Sequence, residues 1–331
     1  MTAQRLAADL AGKPAALTEL ANHLARRDPF AALPSLVDDE PATVLLLGLG
    51  AARYACEAAA VRLRRVGLGA TAEFSSAADT VPAGPDTLVV AVSFGTGQLE
   101  LCTALDRYVE RSPIIVLTND PEAPVARYAD VLVPLLAGEE ASGLACRGYQ
   151  HALALLLLLA YRLGAVPPGA TSDVSVTLRR VANASAELLE RAREWLPAAA
   201  EALEGPGGVH FVAPAERLAS AGQAAQAVRT GPVRTAHVAE TGEWSHSDRY
   251  LAAVEDYRAV LFTGSHYDER VAEQLLQLRG SFVAVGGDIA GATATVRYLG
   301  DGDADVSLLT EPLVGELLAA HWWSRRRGRA R

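Results

Sequence analysis

Apolar positions along this chain fall into two alternating kinds of run: continuous stretches of five to eight residues, and longer stretches where apolar residues return every three or four positions. The first kind reads as strands buried on both faces and the second as helices laid on a sheet, so their alternation predicts βαβ units. In the first half the strand candidates are TVLLLG (43–48), ATAEF (70–74), DTLVVAVS (86–93), PIIVLT (113–118) and DVLVPL (130–135). Helices are predicted between them at about 52–66, 97–110, 122–128 and 143–164. In the second half the strand candidates are VHFVAP (209–214), TAHVAE (235–240), RAVLFTG (258–264), SFVAVGG (281–287) and DVSLLT (305–310), with helices near 217–231, 268–279 and 312–325.

GAVPPGATSD (164–173) breaks the chain between the halves, and one or two amphipathic helices then run to the GPGG turn at 205–208. Two five-stranded halves joined in this way suggest an internal duplication. The expected fold class is α/β: two doubly wound, flavodoxin-like domains of three αβα layers, each with a mostly parallel five-stranded sheet. The expected division is a helical leader (1–40), a first domain (41–165), a helical connector (166–207) and a second domain (208–331).

Composition narrows the partners. Half of the 331 residues are hydrophobic, which supports sizeable cores, and the formal charge of −9 disfavours nucleic acid and anionic membranes, both of which need basic faces. The basic stretch SRRRGRAR (324–331) is read as a solvated end. No apolar run approaches the roughly 18 residues of a membrane span, and the longest, LALLLLLAY (153–161), suits a buried helix. The opening MTAQRLAADLAGKPAAL lacks signal-peptide organisation, so a cytoplasmic location is expected. Cys56, Cys102 and Cys146 are an odd number in apolar contexts without CxxC spacing, and read as core residues. The seven histidines show no spacing that pairs them with carboxylates on one face, so no metal is expected; no other cofactor is expected either.

In doubly wound sheets, ligands sit beyond the carboxyl ends of the strands, where helix N-termini point N–H groups at anions. Three turns of the first half occupy that position: GLGAAR (48–53), SFGTGQ (93–98) and TNDPEAP (118–124). GLGAAR begins like a dinucleotide fingerprint, but Arg53 stands at the third glycine position. In SFGTGQ the hydroxyls of Ser93 and Thr96 and the coming helix start suit a phosphate; the alternative is a tight turn capped by Thr96 that holds nothing.

The order LLLGLGAARYACEAAA, VVAVSFGTGQLELC, IIVLTNDPEAPVARYADVLV, LAGEEASGLACRGYQHAL resembles the SIS (sugar isomerase) domain. Its turns read roughly GxGxS, SxSGxT, TN with an apolar stretch ending in AD, and AGxE before a long helix. From Phe211 to Leu251 the chain is similar to the second such domain in the isomerase module of glucosamine-6-phosphate synthase, and LAGKPAAL resembles the leader of two-domain members.

That resemblance implies a sugar phosphate as ligand, with Gly50, Ala51, Ala52, Ser93, Phe94, Gly95, Thr96 and Gln98 around it. It also implies a homodimer in which His246 is the histidine that assists ring opening across the interface. Aldose–ketose interconversion through an enediol needs a base beside such an acid, and Glu243, three residues from His246, and Glu140, before the long helix, are the candidate carboxylates. Ser245 and Ser247 leave open the reading of His246 as part of a helix cap. Several positions depart from the family. Ala52 replaces the serine that touches the sugar, Phe94 a polar residue, Thr230 the base and Ala227 a lysine. The resemblance therefore implies a phosphosugar or amino-sugar phosphate isomerase or deglycase, or a sugar-phosphate sensor that has lost turnover.

Overall fold

A computed structural model describes residues 2–37, 41–95, 98–166 and 173–329. The expected phosphate ligand Thr96, and residues 167–172 of the predicted chain break, lie outside them. Packing divides the chain into two compact units. One comprises Ala16–Glu139 with Arg147–Leu178, the other Met1–Ala15, Glu140–Cys146 and Arg179–Arg331.

Helices α1 (Ala3–Ala11), α2 (Lys13–Leu24) and α3 (Leu33–Leu36) precede the first strand. The first sheet is built from β1 (Thr43–Gly48), β2 (Gly69–Phe74), β3 (Thr87–Ser93), β4 (Ile114–Thr118) and β5 (Val131–Pro134), all parallel in the order β2-β1-β3-β4-β5. Every residue of β3 and β4 is buried, because helices cover both faces and leave no solvated side for polar alternation. Alternate residues make one core. Leu45, Leu47, Val89, Ala91, Ile114 and Val116 share a face and pack with Leu101, Ala104 and Leu105 of α5 (Gln98–Leu105). On the same unit lie α4 (Ala51–Arg64) and α6 (Arg147–Arg162), which contact one another. The helix predicted at 122–128 is a 3-10 segment, Pro124–Tyr128, and the one predicted at 97–110 stops as an α-helix at Leu105.

The chain continues through α7 (Val174–Glu190) and α8 (Ala192–Ala202) to the second sheet, β6 (Val209–Ala213), β7 (Ala236–Glu240), β8 (Arg258–Phe262), β9 (Ser281–Val285) and β10 (Ala294–Val296). Its order β10-β9-β8-β6-β7, again all parallel, repeats the topology of the first sheet strand for strand. Around it are α9 (Leu218–Thr230), α10 (Asp248–Ala252), α11 (Asp268–Gln277), α12 (Ala304–Thr310) and α13 (Pro312–Arg329).

One predicted strand is a helix. DVSLLT (305–310) forms α12, started by Asp303, whose carboxylate accepts the N–H groups of Asp305 and Val306. The fifth strand is instead the three-residue β10. A six-residue run buried on all sides carries no periodicity that separates helix from strand, and here the cap decides.

Candidate functional site

Gly48 of β1 pairs in register with Val92 of β3, so the turns after these two strands leave the sheet side by side at its switch point. Gly48 has room for no side chain: a Cβ there would stand 2.8 Å from the Ala52 carbonyl carbon and 2.9 Å from the Arg53 nitrogen. This close approach lays the first turn of α4 directly on the strand end. Gly50 caps α4 at φ +56, and Ala51 and Ala52 open the helix as buried residues.

Ser93 ends β3 opposite Thr118 of β4 and is 3% exposed. Its Oγ accepts the Gly95 N–H at 3.3 Å, a long bond that a stronger acceptor would displace. Gly95 turns at φ +97, and a Cβ built on it would meet nothing within 4 Å. Phe94 is half-buried beside it. Gln98 opens α5 and accepts the Val125 N–H through Oε1 at 3.2 Å, which leaves its amide NH2 as a donor. Asn119, after β4, donates to Gly138 O at 2.7 Å and accepts the Ala137 N–H at 3.0 Å, clamping the loop that follows β5. Arg53 turns away toward β2: it pairs with Glu57, and its guanidinium stands 4.5 Å from the Phe74 ring. Burial pushes the Glu57 carboxyl up despite Arg53. The predicted phosphate ligands that are described thus share one end of the first sheet.

The corresponding end of the second sheet is filled by its own charges. Asp268 opens α11, as Gln98 opens α5, but folds back so that Oδ2 accepts the N–H groups of Gly264 at 2.5 Å and Ser265 at 2.9 Å. Arg217, in the turn after β6, donates to Thr263 O and pairs with Glu311 at 2.5 Å. Glu311 is fully buried with no partner for Oε2 among the described residues, and burial, opposed by Arg217, lifts its pKa to about 7. The stretch TGSHYD after RAVLF has the same layout as SFGTGQ, and that likeness is the sequence signal by which this turn could have been found.

Glu140, Glu243 and His246 belong to the unit that carries the second sheet. Glu140 accepts the Cys146 N–H at 2.8 Å. Glu243 and His246 are exposed on a turn, where the His246 N–H bonds the Glu243 carbonyl at 2.8 Å and the imidazole makes no hydrogen bond among the described residues. Beneath that turn lies a cluster that sequence reading missed. Tyr257 donates to Asp248 at 2.7 Å, Trp244 donates to the Tyr257 oxygen at 3.0 Å, and Ser247 donates to Asp248 at 3.1 Å. The His210 ring stacks on Tyr257 at 3.7 Å and on His237 at 4.7 Å, with Nδ1 3.6 Å from Asp248. Burial would raise Asp248, but His210, Tyr257 and Ser247 outweigh it and hold the carboxyl below its ordinary value. Burial and then His210 push His237 down. Trp244 and Asp248 therefore anchor the turn that presents His246. Of the two positions expected to replace the family's base and lysine, Thr230 is exposed and donates to Gln226 O at 2.7 Å, and Ala227 is buried.

Among the described residues no group of three or more His, Cys, Asp or Glu is arranged to hold a metal, and no helix is long and apolar enough to cross a membrane.

Residues 39–162 match the SIS domain family. A search of curated protein sequences returned no match. Solved structures share the fold along nearly the whole chain at low identity. Tagatose-6-phosphate ketose/aldose isomerase from Escherichia coli superposes with a TM-score of 0.80 at 16% identity, covering 99% of this chain and 96% of that one. The C-terminal domain of glucosamine-fructose-6-phosphate aminotransferase from Francisella tularensis gives 0.79 at 13%, covering 97% and 96%. Glucosamine-6-phosphate deaminase from Thermotoga maritima gives 0.69 at 16%, covering 97% and 95%.

Proposed function

Residues 39–162 of this chain are an SIS domain, and from that premise we propose that the protein binds a sugar phosphate at the strand ends of its first sheet and interconverts its aldose and ketose forms, or those of an amino-sugar phosphate. One observation carries the reading. The turn Ser93–Gln98 holds no carboxylate and a Cβ on its Gly95 would meet nothing within 4 Å, whereas the equivalent turn of the second sheet is filled by Asp268. The phosphate takes the Gly95 N–H, the Ser93 and Thr96 hydroxyls, the Gln98 amide and the N-terminus of α5. Gly50, Ala51 and Ala52 bring backbone close to the sugar, and Phe94 makes that wall more apolar.

Ring opening needs a proton donor and acceptor, and enediol formation a base that moves a proton between adjacent carbons. His246 serves the first role in a second copy of this chain, so the working unit is a homodimer. Its exposed, unbonded ring and the apolar Tyr250 and Val254 beside it, 70% and 81% exposed, support an interface there. Glu243 and Glu140 are the candidate carboxylates. A cytoplasmic location belongs to the same reading and is supported by the three free cysteines.

A second reading, a sensor without turnover, is favoured by Thr230 and Ala227 where the family has its base and lysine. Two experiments decide. Hexose and pentose phosphates are expected to raise Tm, since a ligand at 100 times its Kd adds about 2.7 kcal/mol, and Ser93→Ala is expected to shrink that rise. If none of them stabilises the protein at millimolar concentration, the phosphate reading falls. With a stabilising ligand, NMR in D2O is expected to show deuterium at the carbon next to the carbonyl; stabilisation without exchange leaves the sensor and overturns the isomerase.

A further inference from the structure

At the β5 edge of the first sheet, a cavity of about 510 Å3 lies between β5, α2, α6 and the segment 26–32. None of the phosphate-turn residues lines it. Its apolar wall is formed by Leu20, Leu24, Leu132, Leu136 and Leu155. Its polar side carries the guanidinium groups of Arg26 and Arg27, with His23 beside them. The one carboxylate there among the described residues, Asp28, is engaged: Oδ2 pairs with Arg162 at 2.5 Å and Oδ1 accepts the Phe30 N–H at 2.9 Å. Arg26 and Arg27 are exposed, and neither guanidinium meets a carboxylate among the described residues.

We propose that this cavity binds a small amphiphilic anion, an apolar body carrying one carboxylate or phosphate, with the body against the leucines and the head group at Arg26 and Arg27. Charge complementarity supports it: two adjacent arginines without a carboxylate partner among the described residues stand out on a chain of net charge −9, and an apolar wall beside them selects against inorganic anions alone. The volume falls within the range of small-molecule pockets, roughly 300 to 1,000 Å3. Leu132 and Leu136 are 40% and 43% exposed, and Leu136 holds its place at φ +56, a left-handed conformation that leucine rarely adopts and that clusters at ligand clamps. An added strand is the poorer occupant, because Pro134 removes an N–H from the edge of β5.

Decanoate and decyl phosphate titrated calorimetrically into the full chain, with decanol and inorganic phosphate as controls, test the proposal. Both amphiphiles are expected to bind saturably and about tenfold or more tighter than either control. Arg26→Ala/Arg27→Ala is expected to weaken the two anions about tenfold while leaving decanol and Tm unchanged, and Leu132→Glu to weaken all three alkyl probes. Ser93→Ala leaves binding intact, which separates this cavity from the sugar-phosphate turn. Absence of saturable binding, binding that the double arginine variant does not weaken, or a dimer that Leu132→Glu dissociates without any ligand effect would each overturn it.

Discussion

Asp268 Oδ2 accepts the Gly264 N–H at 2.5 Å, so the turn after β8 carries its own anion, whereas Gln98, the first residue of the equivalent helix, reaches sideways to the Val125 N–H. Replacing Asp268 by Ala exposes two backbone donors. The expected cost is about 1 to 2 kcal/mol by urea denaturation. Sulfate at tens of millimolar is expected to recover part of it, beyond any stabilisation of the wild type. A loss that sulfate does not touch would show that the carboxylate acts only as a helix cap.

Glu311 links stability to pH. Its folded-state pKa, about 7, lies above the ordinary 4.5, so the folded state takes up the proton more readily than the unfolded chain. The stability this confers is fully present below pH 4.5 and is lost as pH rises through 7. Glu311→Gln removes the titration. The variant's stability between pH 4.5 and 8 is expected to fall less steeply than the wild type's, whatever its absolute value, and equal slopes would refute this.

Lys13 and Glu316 form an ion pair that is 1% and 0% exposed, with Gln223 donating to the other Glu316 oxygen at 3.1 Å. Removing one partner strands a buried charge. Lys13→Met is expected to cost about 3 to 5 kcal/mol, while Lys13→Met/Glu316→Met recovers much of it. A double variant no more stable than the single would mean that the pair's geometry, not its charge, matters.

Gly48→Ala drives a methyl group into the first turn of α4. A loss of about 1 to 3 kcal/mol is expected, together with loss of the sugar-phosphate Tm shift. Gly84→Ala, where a Cβ meets nothing within 4 Å, is the control and is expected to be neutral or slightly stabilising. Equal behaviour of the two variants would remove the role assigned to Gly48.

Much of the fold was legible in the residues. Strands buried on both faces read as unbroken apolar runs, and nine of the ten observed strands fall within one residue or two of those runs. The exception, β10, is three residues of ATV at a sheet edge, too short to carry a pattern, while the apolar run chosen in its place folds as α12 because Asp303 caps it. The turn proposed to hold phosphate was visible as Ser93, Gly95 and Gln98 following a strand, since small residues and a helix start announce themselves locally.

The sequence by itself determined nine of the ten described strands and which turns stand at their carboxyl ends, because both follow from local periodicity and turn chemistry. Only the tertiary structure decided what the two helix-opening side chains do. Asp268 fills its own turn and Gln98 reaches away to Val125, though both are polar residues opening a helix after the third strand. It also decided that Arg217 finds Glu311, ninety-four positions away, and that His210 stacks on Tyr257 beneath the His246 turn. Such pairings depend on where distant chain segments converge, and no local pattern encodes that convergence.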